Sequence, residues 1–302
     1  MKKKGEKKIW QRVLALVLSA IMLCSQGAMA FAQQEEKQEN TALREEESEQ
    51  TAVQEEKQES VELQQVAAVG DTAAVDGLTY QVTRLPSAKA LGTVTLTDGK
   101  SVAGAVVIPK EIAIQGQDYL VIELGAGAFR NNASLIGIDF SNTEIRKIGS
   151  SCFSDCSSLT SVNPPQTGSV YLLIDKEAFS NCTALKQIQF HTVQILRNSM
   201  PFSGSGIARI TIMNVIGLGA SAFSGLNPGF TLVCPNKISL YNVEGGAFGN
   251  TREGIALVAD EVTKAGLQTK LGSKVTVKLL NEQNTSDISV RGSDGTTMGY
   301  GT

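Results

Sequence analysis

From about residue 120 the apolar positions recur at an interval of just over twenty residues, longer than any helical or strand period. A phenylalanine marks each interval: Phe129, Phe153, Phe179, Phe202, Phe223 and Phe248, at spacings of 24, 26, 23, 21 and 25 residues. Five residues earlier stand Leu124, Ile148, Ile174, Leu218 and Val243, and the fourth unit has no counterpart. After the anchor, apolar residues return at +6, +9 and +11: Leu135, Ile138 and Phe140; Leu159, Val162 and Pro164; Leu185, Ile188 and Phe190. In the fourth unit everything arrives one residue early, as Ile207, Ile210 and Ile212. The fifth unit has Gly229, Leu232 and Cys234, and the sixth keeps only Leu257.

Positions two apart share one face of a strand, so the +9 and +11 pair predicts a short strand in every unit. The anchor and the residue five before it lie off that strand, separated by Gly, Ser and Asn. Each unit is then one coil, a strand followed by a turn and an irregular stretch that drops Phe inside. One coil cannot bury its own apolar face, so coils must stack around a shared core. The expected fold is a repeat solenoid, mainly β, right-handed, with a ladder of short parallel strands.

Two units carry this pattern in nearly the same words, IGSSCFSDCSSLTSVNPP from Ile148 and IDKEAFSNCTALKQIQF from Ile174. They resemble the BspA-type leucine-rich repeat of secreted bacterial surface proteins. The resemblance covers about 120–258. The stretches VDGLTYQV from Val75, AVVIPKEI from Ala105 and YLVIEL from Tyr119 are similar to the strand-rich entry this family places before its first repeat. What the resemblance implies is a leucine-rich-repeat solenoid that mediates adhesion or ligand binding at the cell surface.

An open solenoid exposes its core, so both ends need caps. Residues 71–122 are expected to form a strand-rich N-terminal cap, from the alternation at Leu78, Tyr80 and Val82 and at Val94 and Leu96, with Asp98-Gly99 as a hairpin signal. The repeats occupy 123–258. Residues 259–282 are expected to form a small C-terminal cap, with a helix over 260–270 and a closing strand from Val275 to Leu280. Residues 283–302, rich in Gly, Ser, Thr and Asp, are expected to be a disordered tail, or a linker cut short before a further domain.

The N-terminus has a different character. Lys2, Lys3, Lys4, Lys7, Lys8 and Arg12 precede an apolar run from Val13 to Cys24, and Ala28-Met29-Ala30-Phe31-Ala32 offers two A-x-A sites. That order predicts a signal peptide over 1–32, cleaved after Ala32; the apolar run is shorter than the ~20 residues a membrane span needs. An uncleaved anchor is the rival reading. The chain carries a formal charge of −3, and residues 1–32 hold six basic and one acidic side chain, so the remainder carries −8. Residues 33–65 hold eleven Glu against Lys37, Arg44 and Lys57, also −8, which leaves 66–302 neutral. Residues 33–70 are therefore expected to be an acidic disordered linker; a coiled coil is the rival, but Leu43, Val53, Val61 and Leu63 keep no heptad. A neutral body has no basic excess for nucleic acid, and no membrane insertion is expected after signal cleavage. No sorting signal or terminal apolar segment is visible, so the expectation is a released protein, a non-covalently held one, or an incomplete C-terminus.

Catalytic chemistry has little to stand on. Cys156 and Cys182 fill the same slot, three after the anchor, in adjacent coils. A disulfide between them is geometrically possible, because neighbouring strands lie ~4.8 Å apart; buried free thiols are the other reading. Cys152 stands where other units have Ala128, Ala178, Ala222 and Ala247, and Cys234 is an internal strand position. No C-x-x-C pair suggests zinc, and no cofactor is expected. His191, the single histidine, follows Phe190 at a strand end and is expected to be solvated. Gly217-Leu218-Gly219 is read as the repeat's own turn. No enzyme is expected.

A binding site would fall on the outward strand positions: Gly137 and Asp139, Ser161 and Asn163, Gln187 and Gln189, Arg209 and Thr211, Thr231 and Val233. Asp139, Asn163, Gln187, Gln189, Arg209 and Thr211 are the candidates, with Arg209 the best single one, because interface hot spots favour Arg and aromatics and no aromatic falls on this face. The bland alternative is the solvated side of a sheet. Three functions follow: a surface adhesin with an extracellular protein ligand, a glycan-recognition or enzyme-associated module, or a purely structural envelope protein.

Overall fold

The computed structural model describes residues 67–166, 171–282, 290–291 and 297–298. The expected signal peptide, nearly all of the acidic linker and most of the expected tail lie outside the described residues. Among the described residues of that tail, two short strands, Val290–Arg291 and Thr297–Met298, pair antiparallel.

The body is a stack of coils with two parallel ladders where the repeat spacing predicts one. The first ladder is the expected one. It comprises β4 (Gly104–Val107), β7 (Leu135–Asp139) and β9 (Ser161–Asn163), then the first halves of β11 (Gln187–Ile195) and β12 (Arg209–Leu218), followed by β13 (Thr231–Cys234), β14 (Gly254–Val258) and β15 (Val275–Leu279). The second ladder joins β3 (Gly92–Asp98), β6 (Gln117–Leu124), β8 (Lys147–Ile148), β10 (Leu172–Ile174) and the second halves of β11 and β12. Its register column runs Leu96, Leu124, Ile148, Ile174, Ile195 and Leu218, ending in a bridge to Val243, and every member is buried. The residue five before each anchor is thus a strand position, and Ile195 fills the slot that the fourth unit lacks at sequence level, because its connecting loop is longer.

Between the ladders each anchor Phe turns inward. Phe129, Phe153, Phe179, Phe202 and Phe223 stack face to face with centroids 5.1, 5.2, 5.7 and 6.3 Å apart and ring planes within 14°. Such ring pairs contribute about 0.5–1.5 kcal/mol each beyond the area they bury. A third line of bonds runs beside the rings: Ser151 N–H donates to Lys176 O, Phe153 N–H to Ala178 O and Asp155 N–H to Ser180 O, at 2.8, 2.8 and 2.9 Å. To aim these donors along the stack, the residues two before and two after the anchor adopt left-handed backbone: Ser151 (φ 53°), Asp155 (63°), Glu177 (57°), Asn181 (59°), Met200 (43°) and Gly204 (69°). Asn, Asp and Gly recur at +2 because they tolerate that region at least cost.

The ends differ from expectation. Asp98-Gly99 makes no hairpin: β3 runs parallel to β6, so coil stacking already begins inside the segment expected to be a separate cap. Gly99 is required there by close approach, since a Cβ would lie 2.3 Å from the Phe129 ring that closes the stack. The tight hairpins are Asp76-Gly77, joining β1 (Thr72–Val75) to β2 (Leu78–Arg84), and Gln115-Gly116, joining β5 (Glu111–Ile114) to β6. Both turn pairs have positive φ, at 51° and 78° and at 50° and 74°, the signature of type I′ turns. At the other end the helix α1 (Glu261–Leu271) crosses from β14 to β15, and Asp260 caps it by accepting from Thr263 N–H at 2.9 Å. In the fifth unit Phe230, not Gly229, fills the apolar slot, and in the sixth the inward strand residues are Ala256 and Val258 rather than Leu257.

Candidate functional site

The six candidate residues fall into two groups on the first ladder. Asp139 on β7 and Asn163 on β9 stand opposite each other, with Asn163 Nδ2 donating to Asp139 Oδ2 at 3.2 Å. Burial pushes the Asp139 carboxyl up, but hydrogen bonds from the Ser141 hydroxyl and backbone and from Asn163 outweigh it and hold the group below its ordinary value. On β11 and β12, Gln187 faces Arg209 and Gln189 faces Thr211, and Thr231 on β13 continues the Arg209 row. Between the groups the ladder breaks: β9 does not pair with β11, and Pro164-Pro165 follows β9 directly. Proline has no N–H to offer a ladder. The Gln166 side chain reaches across instead, accepting from Gln189 Nε2 at 3.4 Å. Two positions expected on this outward face are covered: Gly137 is buried, with Ser161 Oγ 2.5 Å from where its Cβ would stand, and Val233 is 1% exposed.

The thiols face inward and are free. Cys156 Sγ donates to Phe129 O and Cys182 Sγ to Phe153 O, both at 3.0 Å. In the same slot Thr251 Oγ1 donates to Phe223 O at 2.6 Å, and Asn132 Nδ2 donates to Gly99 O and Val102 O. In these four coils the slot carries a donor to a carbonyl of the preceding coil, whereas Leu226 fills it in the fifth unit and the buried Ser205 hydroxyl in the fourth finds no partner among the described residues. Burial pushes the Cys156 thiol up to about 11 and Cys234 to about 12, and raises Cys152 and Cys182 as well. Thiols held so far from the thiolate are poor nucleophiles. His191 Nδ1 lies 2.9 Å from Thr192 Oγ1, which in turn accepts from Asn214 Nδ2 at 3.5 Å, so the expected solvated histidine sits beside a polar row at the corner of the two ladders. Among the described residues no group of three or more His, Cys, Asp and Glu is placed to hold a metal ion.

Sequence reasoning missed an open groove of about 740 Å³ at the C-terminal end of the same face. It is lined by Gly229, Arg252, Glu253, Ile255, Ser273, Lys274, Thr276 and Lys278. The available signal was the spacing of Lys274, Thr276 and Lys278 leading into and along the closing strand. Exposed aromatics were missed too. Tyr241, 97% exposed, and Tyr171, 50% exposed, lie along the second ladder, which the repeat spacing did not reveal as a ladder.

Coils stacked on two parallel ladders around a phenylalanine spine define a leucine-rich-repeat solenoid whose polar side chains cluster on the outward strand face. The chain belongs to the family described as BspA type Leucine rich repeat region, whose profile matches residues 110–170 and 170–264 in six copies. Among solved structures, a leucine-rich repeat protein from Bacteroides capillosus is 25% identical, with 47% of this chain and 99% of that one covered and a TM-score of 0.37. One from Bacteroides ovatus is 24% identical over 62% of this chain and 49% of that one, at a TM-score of 0.41. A leucine rich cell surface protein from Faecalibacterium prausnitzii is 15% identical over 62% and 76% of the two chains, at 0.31. A comparison with curated proteins finds no match.

Proposed function

We propose that the chain is an exported surface protein that binds an extracellular protein through the strand face of its solenoid, without catalysis. The observation that carries this reading is the in-register surface of β11, β12 and β13, where Gln187, Arg209 and Thr231 form one row and Gln189 and Thr211 the next. A rigid sheet holds these side chains at fixed spacing, so little ordering entropy is lost on docking. Export rests on the basic, apolar and A-x-A order of residues 1–32. No helix among the described residues is long and apolar enough to cross a membrane.

The test is a binding screen of the full chain against extracellular-matrix proteins and a glycan panel. Saturable binding to a protein, weakened about tenfold by Arg209→Ala together with Gln187→Ala, supports the reading at the ~1 kcal/mol or more that a contributing interface residue is worth. A protein ligand indifferent to those changes would place the contact elsewhere and reject this face. Silence from every protein rejects the reading altogether.

A further inference from the structure

The groove at the C-terminal end of the strand face has a charge and chemistry of its own. Thr276 and Lys278 share the outward side of β15, and Lys274 ends the 3-10 turn Gly272–Lys274 just before that strand. The two lysines are four residues apart and line the same groove. Arg252 adds a third cation from the turn before β14, and Ile255, opposite Thr276, lies on the floor between them. Gly229 holds one side of the groove open, since a Cβ there would meet nothing within 4 Å.

Many cations elsewhere on the body are ion-paired, although Arg84, Lys186 and Lys270 bond backbone carbonyls instead, and Lys89, Arg130 and Lys237 form no ion pair among the described residues. Lys100, Lys110, Arg146, Lys147, Lys176, Arg197 and Lys264 each reach a carboxylate within 4.0 Å. Among the described residues none of Arg252, Lys274 and Lys278 does so, although the Glu253 carboxylate lines the same groove. Three unneutralised cations beside one carboxylate on an open surface raise the local concentration of anions.

The form of the anion follows from what the groove lacks. An extended peptide would dock most directly by adding a strand to the open edge of β15, the last strand of the ladder. That edge is already occupied: Gln268 Nε2 donates to Val275 O at 2.9 Å, and its Oε1 accepts from Val277 N–H at 3.0 Å. With Val275 O and Val277 N–H taken, the recognition elements that line the groove are cations and the hydroxyls of Ser273 and Thr276. These match acid groups and sugar hydroxyls presented along a chain. We infer that this groove binds an acidic polysaccharide, gripping its carboxylate or sulfate groups with Arg252, Lys274 and Lys278. The inference rests on the reading of the chain as an exported binding module, and goes beyond it by adding a second site with its own ligand class.

The experiment titrates the full chain, by calorimetry at low and at physiological salt, with polygalacturonate, dextran sulfate, neutral dextran and poly-glutamate. Saturable binding is expected to polygalacturonate or dextran sulfate, the pair separating carboxylate from sulfate recognition, and none to neutral dextran. Each of Arg252→Gln, Lys274→Gln and Lys278→Gln should weaken binding about two- to five-fold, the range of an exposed ion pair. The triple variant should lose about tenfold or more, with a shallower salt dependence, while Lys89→Gln, remote from the groove, leaves binding unchanged. A triple variant that binds like the parent, or silence from both acidic glycans, overturns the inference. So does poly-glutamate binding as tightly as the glycans, which would make the site one for acidic peptides. Gln187→Ala and Arg209→Ala leave glycan binding unchanged if the groove is the site, so failure of the protein-binding face and failure of the groove are read separately.

Discussion

Cys182 shows how much one side chain does in a coil. Its thiol sits in the core, donates to Phe153 O, and stands in a slot that Thr251 and Asn132 fill in other coils. If the slot wants a donor, Cys182→Ser should be tolerated better than Cys182→Val, although valine is the more apolar replacement. Removing the donor takes away one of the two hydrogen bonds Phe153 O accepts, the other coming from Cys156 N–H at 3.2 Å, at about 0.5–1.5 kcal/mol, and urea midpoints of the two variants would show the order. The opposite order would reduce the slot to packing. Burial predicts a second observable: apart from Cys24, all four thiols should stay unreacted with an aromatic disulfide reagent at pH 8 in the native protein, and all four should react once denaturant opens the core. The aspartates carry the pH dependence. Asp155 is held down by hydrogen bonds from Asn181 and Ser154, Asp260 by those from the Thr263 side chain and backbone, and Asp139 by the Ser141 and Asn163 bonds that outweigh its burial. A carboxyl lowered by folding contributes stability above its unfolded value, ~3.9, and loses it as pH falls through the lower folded value. Stability should therefore be flat from pH 7 to 5 and fall below about pH 4, and Asp155→Asn with Asp260→Asn should blunt that fall in a urea-midpoint series.

At the scale of elements, α1 matters less as a helix than as a plug. Its buried face is narrow, limited to Thr263, Leu267 and Leu271, but Gln268 closes the edge of β15 and Lys270 Nζ donates to Leu240 O and Val243 O. Gln268→Leu should cost about 1–3 kcal/mol through the unsatisfied strand groups. It should also turn β15 into a sticky edge, seen as concentration-dependent growth in light scattering. A variant that stays monomeric at high concentration would show that the edge needs no guard. Elements were unevenly legible in the sequence. The first ladder was readable because its strand positions repeat every second residue. The second was not, because its buried pairs, such as Leu172 and Ile174 or Val193 and Ile195, keep no fixed distance from the anchor: Ile174 stands five before Phe179 but Ile195 seven before Phe202. Asp98-Gly99 looked like a turn because composition cannot distinguish a glycine needed for a hairpin from one needed beneath a phenyl ring.

For the whole molecule, the family and the solenoid were legible because repetition averages over local noise. The surface was less so, because outward residues obey no packing rule that would repeat them. Val233 and Gly137 sit at outward register positions yet are covered, and no spacing rule announces that. The Lys274–Lys278 spacing was visible leading into the closing strand, but only the stack places Arg252 beside it. The lapse between β9 and β11 has a mechanical consequence. Every other junction between coils on the first ladder is stitched by paired strands; here Pro164-Pro165 leaves the second ladder, the turn bonds and the rings to hold the joint. Pulled at its two ends along the stack, the solenoid would come apart like a zipper with one missing tooth. It would part first between Asn163 and Gln187, giving way in two pieces before either piece unravels.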